Sequence, residues 1–79
     1  MPASLGVKLF ASLAETHGWR ERRCTLPQPA TVAAVWTLAT GDPALPPRIL
    51  CARNMEYCEP DSPVREGDEI AFFPPVTGG

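Results

Sequence analysis

The chain has a single histidine and, reading along it, a single lysine among its 79 residues. His17 has no cysteine or aspartate close by in sequence, so metal ligation or acid–base chemistry built on it has no partner in view. A surface or capping role suits it better. No stretch of apolar residues approaches the 18 or more that a membrane helix needs. No phosphate-cradling glycine loop and no nucleophile elbow is present, and there is no internal repeat or low-complexity tract. Cations are not in surplus either. The net charge of −2 speaks against nucleic acid as a main partner, because phosphate binding needs excess Lys and Arg. These shortages predict a protein with neither nucleic acid nor a membrane among its partners.

Cysteine is sparse. Cys24, Cys51 and Cys58 cannot all pair within one chain, and their spacing matches no CxxC or zinc pattern. No basic leader precedes the first apolar run, which Lys8 interrupts, so no signal peptide is read. The expectation is reduced thiols in a cytoplasmic protein, buried as small hydrophobes.

What is present fits one small domain. A chain of this length buries only about 60–65% of the surface its unfolded form exposes. A core leaves little room for a cofactor pocket, which favours chemistry at a surface or an end. Charge is uneven: Arg20, Arg22 and Arg23 form a basic knot, and the 56–69 segment carries Glu56, Glu59, Asp61, Glu66, Asp68 and Glu69 against Arg65. The acids read as a solvated face or as a docking surface for a basic partner.

Alternation sets Leu5, Val7 and Leu9 on one side of a first strand, with Lys8 and Phe10 on the other. Ala11 to His17 reads as a short helix stopped by Gly18. Arg22 to Leu26 reads as a second strand, closed by Pro27 and Pro29. Thr31 is a candidate N-cap for a longer helix whose apolar stripe is Val32, Val35, Trp36, Leu38 and Ala39. After a proline-stiffened loop, Ile49–Ala52 and Met55–Cys58 read as short strands turning at Arg53-Asn54. Glu66, Asp68 and Glu69 around Gly67 suggest a turn. The final strand, Glu69 to Phe73, sets Ile70 and Phe72 against Ala71 and Phe73. Trp19 and Trp36 read as core. The order predicts an α+β fold: a mixed five-stranded sheet packed on one main helix, with residues 1–75 as the domain and 76–79 as a flexible Gly-Gly tail.

The tail is the most informative segment. A terminal carboxylate is ionised and unreactive at neutral pH, so it transfers nothing until another enzyme activates it. Glycine at positions 78 and 79 lets the end of the chain thread a narrow channel. Pro74 and Pro75 cut the entropy lost when the tail is held extended. A rigid head, a stiff neck and a bare carboxylate describe a carrier; an incidental tail of small residues remains the plain alternative. Phe10, Ala71 and Phe73 emerge on the face away from the helix, near the tail, and exposed apolar groups there mark a contact surface. Partial cover by loops is the other reading of that face, and alternation does not settle which face Tyr57 takes.

The run Gly67-Asp68-Glu69-Ile70-Ala71-Phe72-Phe73-Pro74-Pro75-Val76-Thr77-Gly78-Gly79 closely resembles the ending of the MoaD/ThiS sulfur-carrier family, in particular the small subunits of molybdopterin synthase. Val7-Lys8-Leu9-Phe10-Ala11-Ser12-Leu13 with Glu15 resembles that family's opening, and Leu26-Pro27, Thr31-Val32 and Asn54-Met55-Glu56-Tyr57 fall at its spacing. The resemblance implies a β-grasp (ubiquitin-like) fold. It implies a chain that is not catalytic alone and binds no cofactor stably. An E1-like enzyme of the MoeB type would use ATP to adenylate the Gly79 carboxylate, and a sulfur donor would turn it into a thiocarboxylate. The tail would then enter the large subunit, MoaE, within a heterotetramer, and give its sulfur to cyclic pyranopterin monophosphate in molybdenum cofactor biosynthesis. Gly79 and Gly78 are the implied working residues. Phe10, Tyr57, Phe73, Pro74, Pro75, Val76 and Thr77 are the implied partner contacts.

Rival readings share the tail: a sulfur carrier for thiamin thiazole or for a cysteine-forming pathway, or a ubiquitin-like protein modifier. The Phe-Phe-Pro-Pro-Val run favours molybdopterin. Three features depart from the family: Arg53 where a small apolar residue is usual, Cys58 in place of valine, and ten prolines. Cys51 and Cys58 invite a redox-linked role, although nothing in the sequence visibly lowers their pKa.

Overall fold

The computed structural model describes residues 3–75. Val76, Thr77, Gly78 and Gly79, which make up the expected tail, lie outside the described residues.

The elements run β1 (Ser4–Leu9), α1 (Ser12–His17), β2 (Glu21–Thr25), α2 (Val32–Thr40), β3 (Leu50–Arg53), β4 (Glu56–Cys58) and β5 (Glu69–Phe73). The strands form one mixed sheet in the order β2-β1-β5-β3-β4. The central β1–β5 pair is parallel and the remaining pairs are antiparallel. This is the α+β design that the element order predicts, a five-stranded sheet on one main helix, and the ubiquitin-like β-grasp architecture that the family resemblance implies.

Local chemistry explains the two helices. Thr31 sits in extended backbone, and its hydroxyl accepts from the Ala34 N–H at 3.2 Å, which caps α2 as the sequence suggested. Gly18 and Gly41 close the helices in the left-handed conformation that glycine enters without strain. α2 then lays Val32, Val35, Trp36 and Ala39 over one face of the sheet, against Leu5, Val7 and Leu9 of β1 and Ile70 and Phe72 of β5. Trp36 meets Phe72 edge-on with ring centroids 5.0 Å apart, and His17 meets Trp36 edge-on at 5.5 Å. Each fully buried large apolar side chain is worth about 1.5–3 kcal/mol, so this single covered face supplies the stability of the domain.

Several expectations change. Leu38 points away from the core and is 48% exposed, because a position two residues beyond Trp36 falls off the buried stripe. The second strand spans Glu21–Thr25 and the third Leu50–Arg53, each offset by one residue. The hairpin loop is Asn54-Met55, both with positive φ, since Arg53 stays in the ladder opposite Glu56. Phe10 lies just past the end of β1, where its N–H donates to the Phe72 carbonyl at 3.2 Å. Trp19 is only half-buried, with the Arg22 guanidinium 4.3 Å from its ring centroid. Of the cysteines, Cys51 is buried and Cys24 and Cys58 are half-buried.

Candidate functional site

The sheet has two faces and α2 covers one. On the other face, the ladder sets Lys8 beside Ala71, Ala71 beside Ala52, and Ala52 beside Tyr57 in one row across four strands. Side chains alternate along a strand, so Phe73 and Leu50, paired one step further along, share this face. Phe10 and Phe73 stack with ring centroids 4.8 Å apart and planes 11° from parallel. Tyr57 tilts toward Phe73 at 6.3 Å, which settles the face that alternation left open.

The result is an apolar shelf with a small-residue floor. Ala52 and Ala71 leave a hollow of about 330 Å³ bounded by Lys8, Phe10, Met55, Tyr57, Glu69 and Phe73. Its walls stand in solvent: Phe10 is 43% exposed, Tyr57 78% and Met55 97%. Leu50 is exposed as well, so all the exposed large hydrophobics among the described residues except Leu38 lie on this face. Such a concentration on a small domain makes this face the candidate contact surface. Sequence reasoning missed Leu50, Met55 and Ala52. The first and last follow from alternation once Phe73 and Tyr57 are placed, whereas Met55 needed the position of the loop.

Charge sits on the rim. Lys8 Nζ lies 3.3 Å from Glu69 and 3.8 Å from Glu21, in pairs exposed enough to contribute little to stability. They hold the lysine along the shelf edge. A second hollow of about 510 Å³ lies behind Phe10, against Glu15, Arg20 and Glu21. Those three are exposed, so it lacks the buried polar groups that orient a small ligand.

The hairpin that carries Met55 and Tyr57 is tied to β5 and the loop before it by backbone and side-chain hydrogen bonds. The Asn54 N–H donates to the Glu69 carbonyl at 2.8 Å, the Glu69 N–H donates to Asn54 Oδ1 at 2.9 Å, and Asn54 Nδ2 donates to Asp68 Oδ1 at 3.0 Å. Asp68 Oδ2 accepts from the Arg65 N–H at 2.8 Å and lies 3.6 Å from Arg53 Nη1. Burial pushes the Asp68 carboxyl up, but the Asn54 amide, the Arg65 N–H and the Arg53 and Arg65 guanidinium charges outweigh it and hold it below the usual range. Asp68 therefore leaves the solvated acidic face expected of the 56–69 segment. Arg53, one of the family departures, also donates to the Pro63 carbonyl at 3.2 Å.

β5 ends at Phe73, and the chain runs through half-buried Pro74 to exposed Pro75. The structure thus brings Phe10, Tyr57 and Phe73 together directly before the Pro-Pro neck. Val76, Thr77, Gly78 and Gly79 are the expected site residues that lie beyond the described ones. Among the described residues, no group of three or more His, Cys, Asp or Glu is placed to hold a metal ion, and no helix is long and apolar enough to cross a membrane.

Known proteins bear on this geometry. The model of the ThiS family matches residues 7–79. The molybdopterin synthase sulfur carrier subunit of Escherichia coli K12 is 48% identical over 44 residues, which cover 56% of this chain and 49% of that protein. Small archaeal modifier protein 1 of Haloferax volcanii is 38% identical over 84 aligned positions, covering 91% of this chain and 97% of that protein. The crystal structure of the same modifier superposes with a TM-score of 0.81 at 35% identity, over 96% of this chain and 99% of the other. The chain spans about half the length of the first of these relatives and nearly all of the second.

Proposed function

The chain belongs to the ThiS family of ubiquitin-like sulfur carriers and modifiers, and from that premise we propose that it carries sulfur on the Gly79 carboxylate for the assembly of molybdopterin. The observation that carries the reading is the stacked Phe10–Phe73 pair, flanked by Tyr57, at the point where β5 passes into Pro74-Pro75. A partner that grips this shelf holds the start of the tail at the same time. The two prolines reduce the entropy lost when the residues beyond them are held extended.

In this mechanism the carboxylate attacks the α-phosphorus of ATP on an E1-like enzyme of the MoeB type, and pyrophosphate leaves. A donor that delivers sulfur at the sulfide level attacks the acyl carbon of the adenylate, AMP leaves, and loss of the sulfur's proton gives the thiocarboxylate. Inside a MoaE-type large subunit, paired with this chain in a heterotetramer, the sulfur passes to cyclic pyranopterin monophosphate. Water restores the carboxylate. Gly78 and Gly79 let the end enter both active sites, and Val76 and Thr77 are the partner contacts behind them. This chain supplies the carried group and the docking shelf; the catalysts are its partners, and the nucleotide is bound by the activating enzyme.

Intact-mass measurement after incubation with an activating enzyme, ATP and a sulfur source is expected to show one oxygen replaced by sulfur, localised to Gly79. Deleting Gly79, or adding a residue beyond it, is expected to abolish charging with the fold intact. Charging that survives either change removes Gly79 from the mechanism.

A second reading, a protein modifier joined to lysines, is favoured by the nearly full-length match to the small archaeal modifier protein. Lys8 is the chain's own lysine and lies between Glu21 and Glu69 along the shelf, which disfavours chains built on itself but leaves other acceptors open. Conjugates of higher mass that resist thiols, formed in place of a dithiolene product when the charged chain meets the large subunit and cyclic pyranopterin monophosphate, would select this reading.

A further inference from the structure

Cys51 of β3 and Cys58 of β4 are directly opposed across the antiparallel hairpin. Both project toward the face that α2 covers: Cys51 is 3% exposed within the core, and Cys58 packs half-buried against it. The Cys51 thiol donates to the Cys58 carbonyl at 3.2 Å, so its sulfur already leans toward the partner residue. Opposed residues in an antiparallel pair have Cα atoms about 4.5 or 5.5 Å apart, depending on their place in the hydrogen-bond pattern. Both values fall inside the span of about 4.4–6.8 Å that a disulfide bridges. Cys24 belongs to β2, at the opposite edge of the sheet and three strand spacings from β3, or about 14 Å. That distance bars it from pairing with either of the others.

We propose that Cys51 and Cys58 form a dithiol–disulfide couple that takes a low-molecular-weight disulfide as its oxidant. The Cys58 thiol, the more accessible of the two, loses its proton to solvent. Its thiolate attacks one sulfur of the oxidant, and the first thiol leaves. Cys51 then gives up its proton and attacks Cys58 Sγ in the mixed disulfide, and the second thiol leaves. Two protons and two electrons pass from the chain to the oxidant, which becomes two thiols. Burial pushes the Cys51 thiol up, which disfavours it as the first attacking thiolate and leaves it the resolving role. The bond forms beneath the sheet, on the face opposite Ala52 and Tyr57. It ties edge strand β4 to β3 without altering the groups displayed on the shelf.

The native chain is incubated in glutathione redox buffers, quenched with N-ethylmaleimide, and digested with trypsin. Cleavage after Arg48, Arg53 and Arg65 places Cys51 and Cys58 in different peptides, 49–53 and 54–65. The expected result is loss of two of the three free thiols, a disulfide joining those two peptides, and alkylation at Cys24. Repeating the equilibrium in urea separates folded geometry from closeness in sequence. The native thiol–disulfide constant is expected to exceed the unfolded one by about tenfold or more. Alkylation of both Cys51 and Cys58 at every buffer ratio, arrest at a glutathione adduct on Cys58, a bond to Cys24, or equal constants in the two conditions would each overturn the proposal. None of these outcomes bears on charging at Gly79.

Discussion

Asp68 is the residue whose chemistry is most tightly held. With one oxygen taking the Asn54 amide and the other the Arg65 N–H, beside Arg53, it fixes the loop before β5 to the hairpin that displays Tyr57. Replacing it with alanine strands the Asn54 and Arg65 donors, and leaving such groups unpaired costs about 1–3 kcal/mol. The same contacts set a pH dependence. Because the folded carboxyl is held below its ordinary value, the unfolded chain takes up a proton first as pH falls. The stabilisation is therefore complete above the unfolded pKa of about 3.9 and is lost as pH drops through the lower folded value. Urea denaturation at about pH 6 and about pH 3 is expected to show a loss of stability that is smaller in Asp68→Asn. An equal loss in the variant would assign the acid sensitivity to other carboxylates. The run around Gly67 was legible in the sequence as a turn, but the burial of Asp68 was not. Its partners Asn54 and Arg53 are 14 and 15 positions away, and nothing local marks them.

Among the elements, the β3–β4 hairpin shows where sequence reading stops. Val32, Val35, Trp36 and Ala39 of α2 were legible because helical spacing is a local property, and the Thr31 cap for the same reason. Register across a hairpin is not local. A loop at Arg53-Asn54 would set Cys51 opposite Glu56 and Tyr57 opposite Leu50; the observed loop sets Cys51 opposite Cys58 and Tyr57 opposite Ala52. Each side chain keeps its face under that shift, so the misplaced loop leaves the make-up of both faces unchanged and hides only which residues are opposed, the cysteine pair among them. The loop is also strained. Met55 has φ 71, a left-handed conformation unfavourable to a side chain with a Cβ, and its side chain is 97% exposed. Holding a large apolar group there at a cost in stability is the mark of a contact residue. Met55→Gly is expected to raise stability by about 0.5–1 kcal/mol, the net of relieved strain and glycine's added chain entropy. The same change is expected to weaken partner binding. Thermal unfolding and calorimetric titration read the two effects separately, and a variant that gains stability with no loss of binding would remove Met55 from the contact surface.

For the whole molecule, the decisive fact is that α2 covers one face of the sheet and no other helix among the described residues packs on the opposite face. The buried core lies on one face of the strands and the proposed docking shelf on the opposite face of the same strands. Phe72 and Phe73 are neighbours on β5, yet Phe72 is fully buried under Trp36 while Phe73 stacks on Phe10 at the shelf. The division predicts opposite behaviour for two aromatic truncations. Phe72→Ala removes a core ring and is expected to cost about 3–5 kcal/mol, a large part of the stability of so small a domain. Tyr57→Ala removes a ring that is 78% exposed, and surface changes of that kind stay within about 0.5 kcal/mol. If the shelf is where a partner docks before the Pro74-Pro75 neck, Tyr57→Ala is expected to weaken the complex with a MoaE-type large subunit about tenfold or more, as truncating a central aromatic anchor does. Denaturant midpoints and titration calorimetry on the two variants check both halves. A Tyr57→Ala chain that is stable and binds as tightly as the unaltered one would show that the tail alone recruits the partner, and the aromatic face would then need another occupant.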